Sequence, residues 1–230
     1  MDKKVWGSQQ SLLRSIILKP DKFDEVIELC LNQHEMVHSF EMSPKNITTF
    51  EDELWQGLDE TTFRTMLAKD NTTIAWCMWH STRIEDITMN ILVADEAQVI
   101  STGQWIQKMN TIICDTGNAM TNEEIVHFST NINMTELRKY RIAVGKRTRE
   151  VIKDFKPQDL KRKIEKNKLK RVIDEGAVLD VEGANWLIDF WGRKNVAGIL
   201  LMPVTRHHMV HLNESLRIKK RCQTSHTAKV

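Results

Sequence analysis

The chain has 230 residues, with 33 Lys+Arg against 31 Asp+Glu and a formal charge of +2; the length fits one well-buried domain, and the balance gives no global field toward a polyanion or an anionic membrane. Its four cysteines, Cys30, Cys77, Cys114 and Cys222, are scattered and form no CxxC pair, which argues against a disulfide framework or a zinc knuckle and fits reduced thiols in the cytosol. The longest apolar run, AGILLMPV, is too short to span a bilayer.

With 9 glycines, 4 prolines and little strict alternation, helix is expected to dominate. In MDKKVWGSQQSLLRSIILKPD an apolar stretch is broken by Arg14 and ends at Lys19-Pro20, with no small-residue cleavage site after it; no secretory signal is read, and a cytoplasmic location is expected. The first strong pattern is DKFDEVIELCLNQHEMVHSF, where Phe23, Val26, Ile27, Cys30, His34 and Val37 recur at helical spacing behind Pro20-Asp21, predicting a helix near 21–40. MSPKNIT, with Pro44, breaks it. A second helix is expected near 71–92, NTTIAWCMWHSTRIEDITMNIL, capped by Asn71, Thr72 or Thr73. Its stripe runs through Thr73, Cys77, His80, Ile84, Ile87 and Ile91, which puts His80 among apolar residues. Arg83, Glu85 and Asp86 read as solvent ion pairs, at least some of them on the outer face. Residues 94–130 are less regular, although Thr121 with Glu124 forms a capping-box signature. A third long helix is predicted near 133–155, NMTELRKYRIAVGKRTREVIKDF, stopped before Pro157.

Lys153 to Arg171 is rich in lysine and arginine but lacks stacking aromatics, so it reads as a solvated helix face or linker and no nucleic acid is expected as a partner. After a turn at Gly176, ANWLIDFWGRKN reads as a short amphipathic helix. A last helix near 198–220 begins or kinks at Pro203 and carries the stripe Leu200, Val204, His207, His211 and Ile218. CQTSHTAKV has little to bury. Residues 1–220 are therefore expected to form one domain and 221–230 a disordered tail.

Three of the eight histidines, His80, His207 and His211, thus fall on inward stripes. Each imidazole carries a donor and an acceptor, and an unsatisfied buried polar group costs about 1–3 kcal/mol, so three such rings fill a core poorly. A divalent metal changes the account by taking one nitrogen of each ring. His207 and His211, four apart, share one helix face, with His80 supplied by another helix. A second HxxxH pair, His34 and His38, reads as partly exposed or otherwise satisfied, with one of them lining the same cavity as the alternative. His208 competes for the site, being also one turn from His211. His127 and His226 carry no site assignment.

AWCMWHSTRIEDITMN resembles the second helix of the DinB-like (damage-inducible) superfamily, in which W/L-x-H carries the first metal-ligand histidine, and RHHMVHLNE resembles that superfamily's last helix, whose HxxxH supplies two more. The resemblance spans about residues 21–220 and implies an all-α four-helix bundle of the DinB/YfiT type, with helices near 21–40, 71–92, 133–155 and 198–220 enclosing a metal on His80, His207 and His211, and a homodimer. The chain departs from the common pattern in HLNE after the last ligand and in extra segments near 95–130 and 156–195.

Three neutral histidines would leave a divalent ion with full charge and an open position. Imidazole suits zinc, nickel, iron or copper, with zinc or nickel expected first. Similar members of the superfamily activate low-molecular-weight thiols such as mycothiol or bacillithiol, so the expectation is a metal-dependent thiol S-transferase acting on a small-molecule thiol and an electrophile. The alternatives are a hydrolase using Glu85 or Glu214 as base, and a non-catalytic metal-stabilised binding protein whose fourth ligand is His208, His34 or Glu214. Trp76, Trp79, Trp186 and Trp191 are candidates to wall an apolar pocket, or plain core aromatics.

Overall fold

The computed structural model describes residues 2–42, 47–68 and 70–227, with side chains as far as 224. Among these residues there is no strand, and the protein is an all-α helical bundle.

Helix α1 (Lys3–Ile16) was not marked by the sequence pattern. The Asp2 carboxylate caps it by accepting from the N–H groups of Lys4 and Val5, and it buries Trp6, Leu13 and Ile16. Arg14, which interrupts the apolar run in the sequence, stands on its exposed face. Helix α2 (Phe23–Met36) follows, then two short helices, α3 (Phe50–Trp55) and α4 (Glu60–Arg64). Helix α5 (Ile74–Asp86) is capped by Thr73, whose hydroxyl accepts from the Trp76 N–H at 3.0 Å. It continues as π-helical turns over Ile87–Ala94 and stops at Asp95, which adopts a left-handed φ of 61°.

After α6 (Trp105–Lys108), the capping box expected at Thr121 and Glu124 opens α7 (Asn122–Asn131). Asn133 caps α8 (Met134–Lys153). Two helices from the extra segment, α9 (Lys166–Asp174) and α10 (Glu182–Gly192), precede α11 (Val196–Leu201), which runs through π-helical turns at Met202–Arg206 into α12 (His207–Thr227). The four predicted long helices are thus all present, with α2 shorter than expected and the last one broken into α11 and α12.

Helix α5 packs against both α8 and α12, α2 lies against α8 and the Met202–Arg206 turns, and α1 packs on α2. The apolar core forms two clusters. Along α5, Ile74, Ala75, Cys77, Met78 and Trp79 belong to one, while Ile84 and Ile87 belong to the other. Between them the buried residues are His80, Ser81, Thr82 and Arg83, so the central helix carries a polar belt through the middle of the bundle.

One expectation for the C-terminus is corrected: 221–227 continues α12. Cys222 is buried, and the Arg221 guanidinium donates to both carboxylate oxygens of Asp70 at 2.8 and 2.9 Å, so this stretch has partners that the sequence alone did not reveal. Residues 228–230 lie outside the described residues, as does the side chain of His226. Among the described residues no helix is long and apolar enough to cross a membrane.

Candidate metal centre

Four side chains on one face of α5, at spacings of three and four, are gripped by four successive carbonyls of one loop. Arg83 Nε donates to Cys114 O at 2.9 Å, Trp79 Nε1 to Asp115 O at 3.1 Å, His80 Nδ1 to Thr116 O at 2.7 Å and Trp76 Nε1 to Gly117 O at 3.3 Å. Gly117 makes this possible: its φ is +72°, and a Cβ there would sit 2.9 Å from Trp76 Nε1. A carbonyl only accepts, so the proton of His80 is on Nδ1 and its Nε2 is left as a lone pair. Trp76 stacks on the ring, with centroids 4.5 Å apart and planes 4° from parallel.

The π-helical turns at Met202–Arg206 deliver the other two rings. Pro203 has no N–H to give the preceding turn, and side chains add hydrogen bonds to the carbonyls of that turn. Thr205 Oγ1 donates to Leu200 O at 2.9 Å, and Gln10 Nε2, reaching over from α1, donates to Leu201 O at 3.0 Å. His207 then starts α12, with His211 one turn on. The centroids of His80, His207 and His211 form a near-equilateral triangle of 5.0, 5.0 and 4.6 Å, with planes steeply inclined to one another.

One nitrogen from each ring lies within 4.8 Å of the others, so the residues named by the sequence are brought together. The donor set fits a cation. Nε2 of His207 and Nε2 of His211 are 3.2 Å apart, close to the roughly 3.3 Å between two nitrogens of a tetrahedral site with bonds of about 2.0–2.1 Å. Glu214 Oε2 stands 3.4 Å from His211 Nδ1, so a carboxylate faces that nitrogen without a well-aligned hydrogen bond. Nδ1 of His207 is buried without a hydrogen-bond partner. Burial, reinforced by the neighbouring His211, pulls the His80 pKa down to about 3, and burial with His80 and His211 holds His207 well below the usual imidazole range. Both rings therefore stay neutral, the form that binds metal. The buried Cys77 thiol, 3.6 Å from Glu214, is pushed up by burial and by that carboxylate and remains protonated.

The other three histidines assemble elsewhere. His34 Nε2 is 2.6 Å from Glu85 Oε1, while His38 Nε2 and His208 Nε2 are 2.8 and 2.7 Å from Glu85 Oε2, all four side chains being fully buried. The pair His34 and His38 is thus buried, not partly exposed, with each Nε2 on Glu85 and each Nδ1 without a hydrogen-bond partner, and neither ring joins the His80 cluster. Arg141 decides the case of His208: its guanidinium can only donate, and it lies 3.1 Å from His208 Nδ1, so the His208 proton sits on Nε2 facing Glu85. Separations of 2.6–2.8 Å are hydrogen-bond distances, shorter than those between two ligand atoms of one ion, and they mark a proton-bearing network.

The expectation of solvent ion pairs for Arg83, Glu85 and Asp86 is also corrected, because all three are fully buried. Asp86 accepts from Arg83, Tyr140, Asn90 and the N–H groups of Val99 and Ile100. The extra segment around 95–101 wraps a face that a bare bundle would leave in water. Sequence reasoning missed Arg141, which also donates to Glu51 at 2.6 Å. Its signal was there: Arg141 interrupts the inward stripe Leu137, Val144, Thr148 of α8.

A family model described as the DinB superfamily matches residues 52–215 of the chain. The fold is similar to that of a conserved protein from Enterococcus faecalis known from its crystal structure, with a TM-score of 0.58 and 18% identity over 85% of this chain and 95% of that one. No curated protein matches the sequence.

Proposed function

Because the chain belongs to the DinB superfamily, we propose that it is a metal-dependent S-transferase that joins a low-molecular-weight thiol to an electrophile, with His80, His207 and His211 holding a divalent ion, zinc or nickel first among the choices. The observation that carries this reading is the convergence of three imidazoles from α5 and α12, with the His80 proton directed outward by the Thr116 carbonyl and the Glu214 carboxylate facing Nδ1 of His211. An ion on three neutral ligands keeps its full charge and an open position, and so lowers the pKa of a thiol. The protein's own part is positional. The loop carbonyls and Trp76 hold the His80 ring in one orientation, and the rigid turn of α12 sets the other two.

Two other readings fare worse on the same geometry. A hydrolase needs a carboxylate base beside the reacting centre, whereas Glu85 is surrounded by His34, His38 and His208, and Glu214 stands behind His211 on its Nδ1 side. A closed, purely structural site needs a fourth ligand, and two of the side chains offered by the sequence, His34 and His208, are turned to Glu85.

Elemental analysis of protein purified without a histidine tag tests the metal, with about one transition-metal ion per chain expected and none retained in His80→Ala. Incubation with a thiol and an electrophile, alongside an ester panel, tests the chemistry. Thiol consumption lost in His80→Ala supports transfer; metal-dependent ester cleavage without thiol would replace it with hydrolysis.

A further inference from the structure

A small cavity of about 140 Å³ adjoins the metal centre on the side of His80 and His207. The rest of its wall is carbon-rich: Trp186, Phe190 and Trp191 from α10, with Met202 from the π-helical turns and no Lys, Arg, Asp or Glu. Two features make it a built pocket. Helix α10 lies outside the four long helices, and it brings three aromatic rings to the flank of two metal-ligand histidines. Trp191 is buried in the core, but Trp186 is 53% exposed, a large apolar surface left in water at the rim.

Volume and lining together define an occupant. A largely apolar space of about 140 Å³, open at the Trp186 rim, has room for a benzene-sized molecule. An ammonium group placed here would lose its hydration, find no carboxylate in the wall and meet the like charge of the ion.

We propose that this cavity is the acceptor subsite, taking a neutral monocyclic aromatic group, or an apolar group of that size, and holding it against the His80 and His207 edge of the metal centre. The role as acceptor subsite rests on the S-transfer reading; the binding does not. For a benzyl halide held there, the sulfur–carbon bond forms as the carbon–halogen bond breaks, the halide leaves with the bonding pair and the thiol proton passes to solvent.

The test separates binding from chemistry. Titration of the metal-loaded 230-residue protein with 4-fluorotoluene and with 4-fluorobenzylammonium, followed by fluorine NMR, is expected to give saturable binding of the neutral probe at least tenfold tighter than the charged one. Filling the cavity by Leu187→Trp or, at a second position, Met202→Phe is expected to weaken the neutral probe at least tenfold while the helical circular dichroism is kept. Equal affinity for the two probes, or neutral binding unchanged in a folded filled variant, overturns the pocket. Rates with benzyl chloride and iodoacetamide then test its role: a preference for benzyl chloride that disappears in the filled variants supports the acceptor subsite, and binding without that preference overturns it. No transfer with either electrophile, with probe binding intact, overturns the S-transfer reading and leaves the aromatic pocket standing.

Discussion

His207 and His208 are neighbours in sequence and have opposite duties, because a helix turns successive side chains about 100° apart. His207 turns toward His80 and His211, and His208 toward Glu85 and Arg141. Behind two of the rings stands an acceptor facing the other nitrogen, Thr116 O at His80 and Glu214 at His211, so these groups are testable. Glu214→Gln removes the carboxylate facing His211 Nδ1 and is expected to weaken metal binding about 10–100-fold in a chelator competition titration, with the fold retained. Unchanged affinity would show that His211 needs no orienting group. The second cluster predicts a pH dependence. Burial, the largest influence, holds His38 well below its ordinary value of 6.5 despite the attraction of Glu85, so the folded protein keeps it neutral while the unfolded chain takes up a proton below about pH 6.5. Burial alone would raise Glu85, but His38, His34 and His208 hold it well below its ordinary 4.5, so its stabilisation is present above that value and lost beneath it. The urea midpoint is therefore expected to be level from pH 8 to 7, to fall from about 6.5 downward and to fall further below about 4.5. A midpoint constant to pH 5 would contradict a neutral buried His38.

Irregular backbone places the site's elements. The loop around 114–117 has no regular structure, yet its four carbonyls satisfy one face of α5, and the left-handed Gly117 lets the chain approach Trp76. Gly117→Ala should cost about 1–3 kcal/mol from backbone strain, with an added penalty from the Trp76 contact. Gly57→Ala is the control, since Gly57 has a φ of +64° with nothing within 4 Å of its Cβ position and so isolates the backbone part. Thermal melts should show the larger loss at Gly117, together with weaker metal binding as Thr116 O moves from His80; equal losses at the two glycines would remove the contact from the argument. The turns at Met202–Arg206 act similarly. Pro203 marks the break in the sequence, but the fit depends on Gln10 of α1, which no spacing pattern places there.

For the whole molecule, a metal on His80, His207 and His211 ties α5 to α12 in the middle of the bundle, so binding should report as stability. At a free-metal concentration about 100 times Kd the gain is about 2.7 kcal/mol. In a domain of this size that corresponds to a rise of roughly 5–10 °C in Tm. Differential scanning fluorimetry with zinc or nickel should show the rise in the native chain and its loss in His80→Ala; an equal rise in both would move the metal elsewhere. The helical class, the long helices and the shared face of His207 and His211 were legible because they depend on periodicity, and residues three or four apart on one helix must share a face whatever surrounds them; the meeting of His80 with that pair was implied by the family resemblance. Periodicity does not say what covers a face. That is why Arg83, Glu85 and Asp86 read as solvent charges, and why His34 and His38 could not be assigned to Glu85. Their partners come from residues such as Gln98, Tyr140 and Arg141, distant in the chain, and from a loop of carbonyls with no pattern of its own. Sequence spacing by itself put His80, His207 and His211 on inward stripes; only the tertiary structure buried His38 and His208 as well and decided which polar atoms meet each ring, because a buried ring's proton and lone pair are set by the nearest donor or acceptor in space.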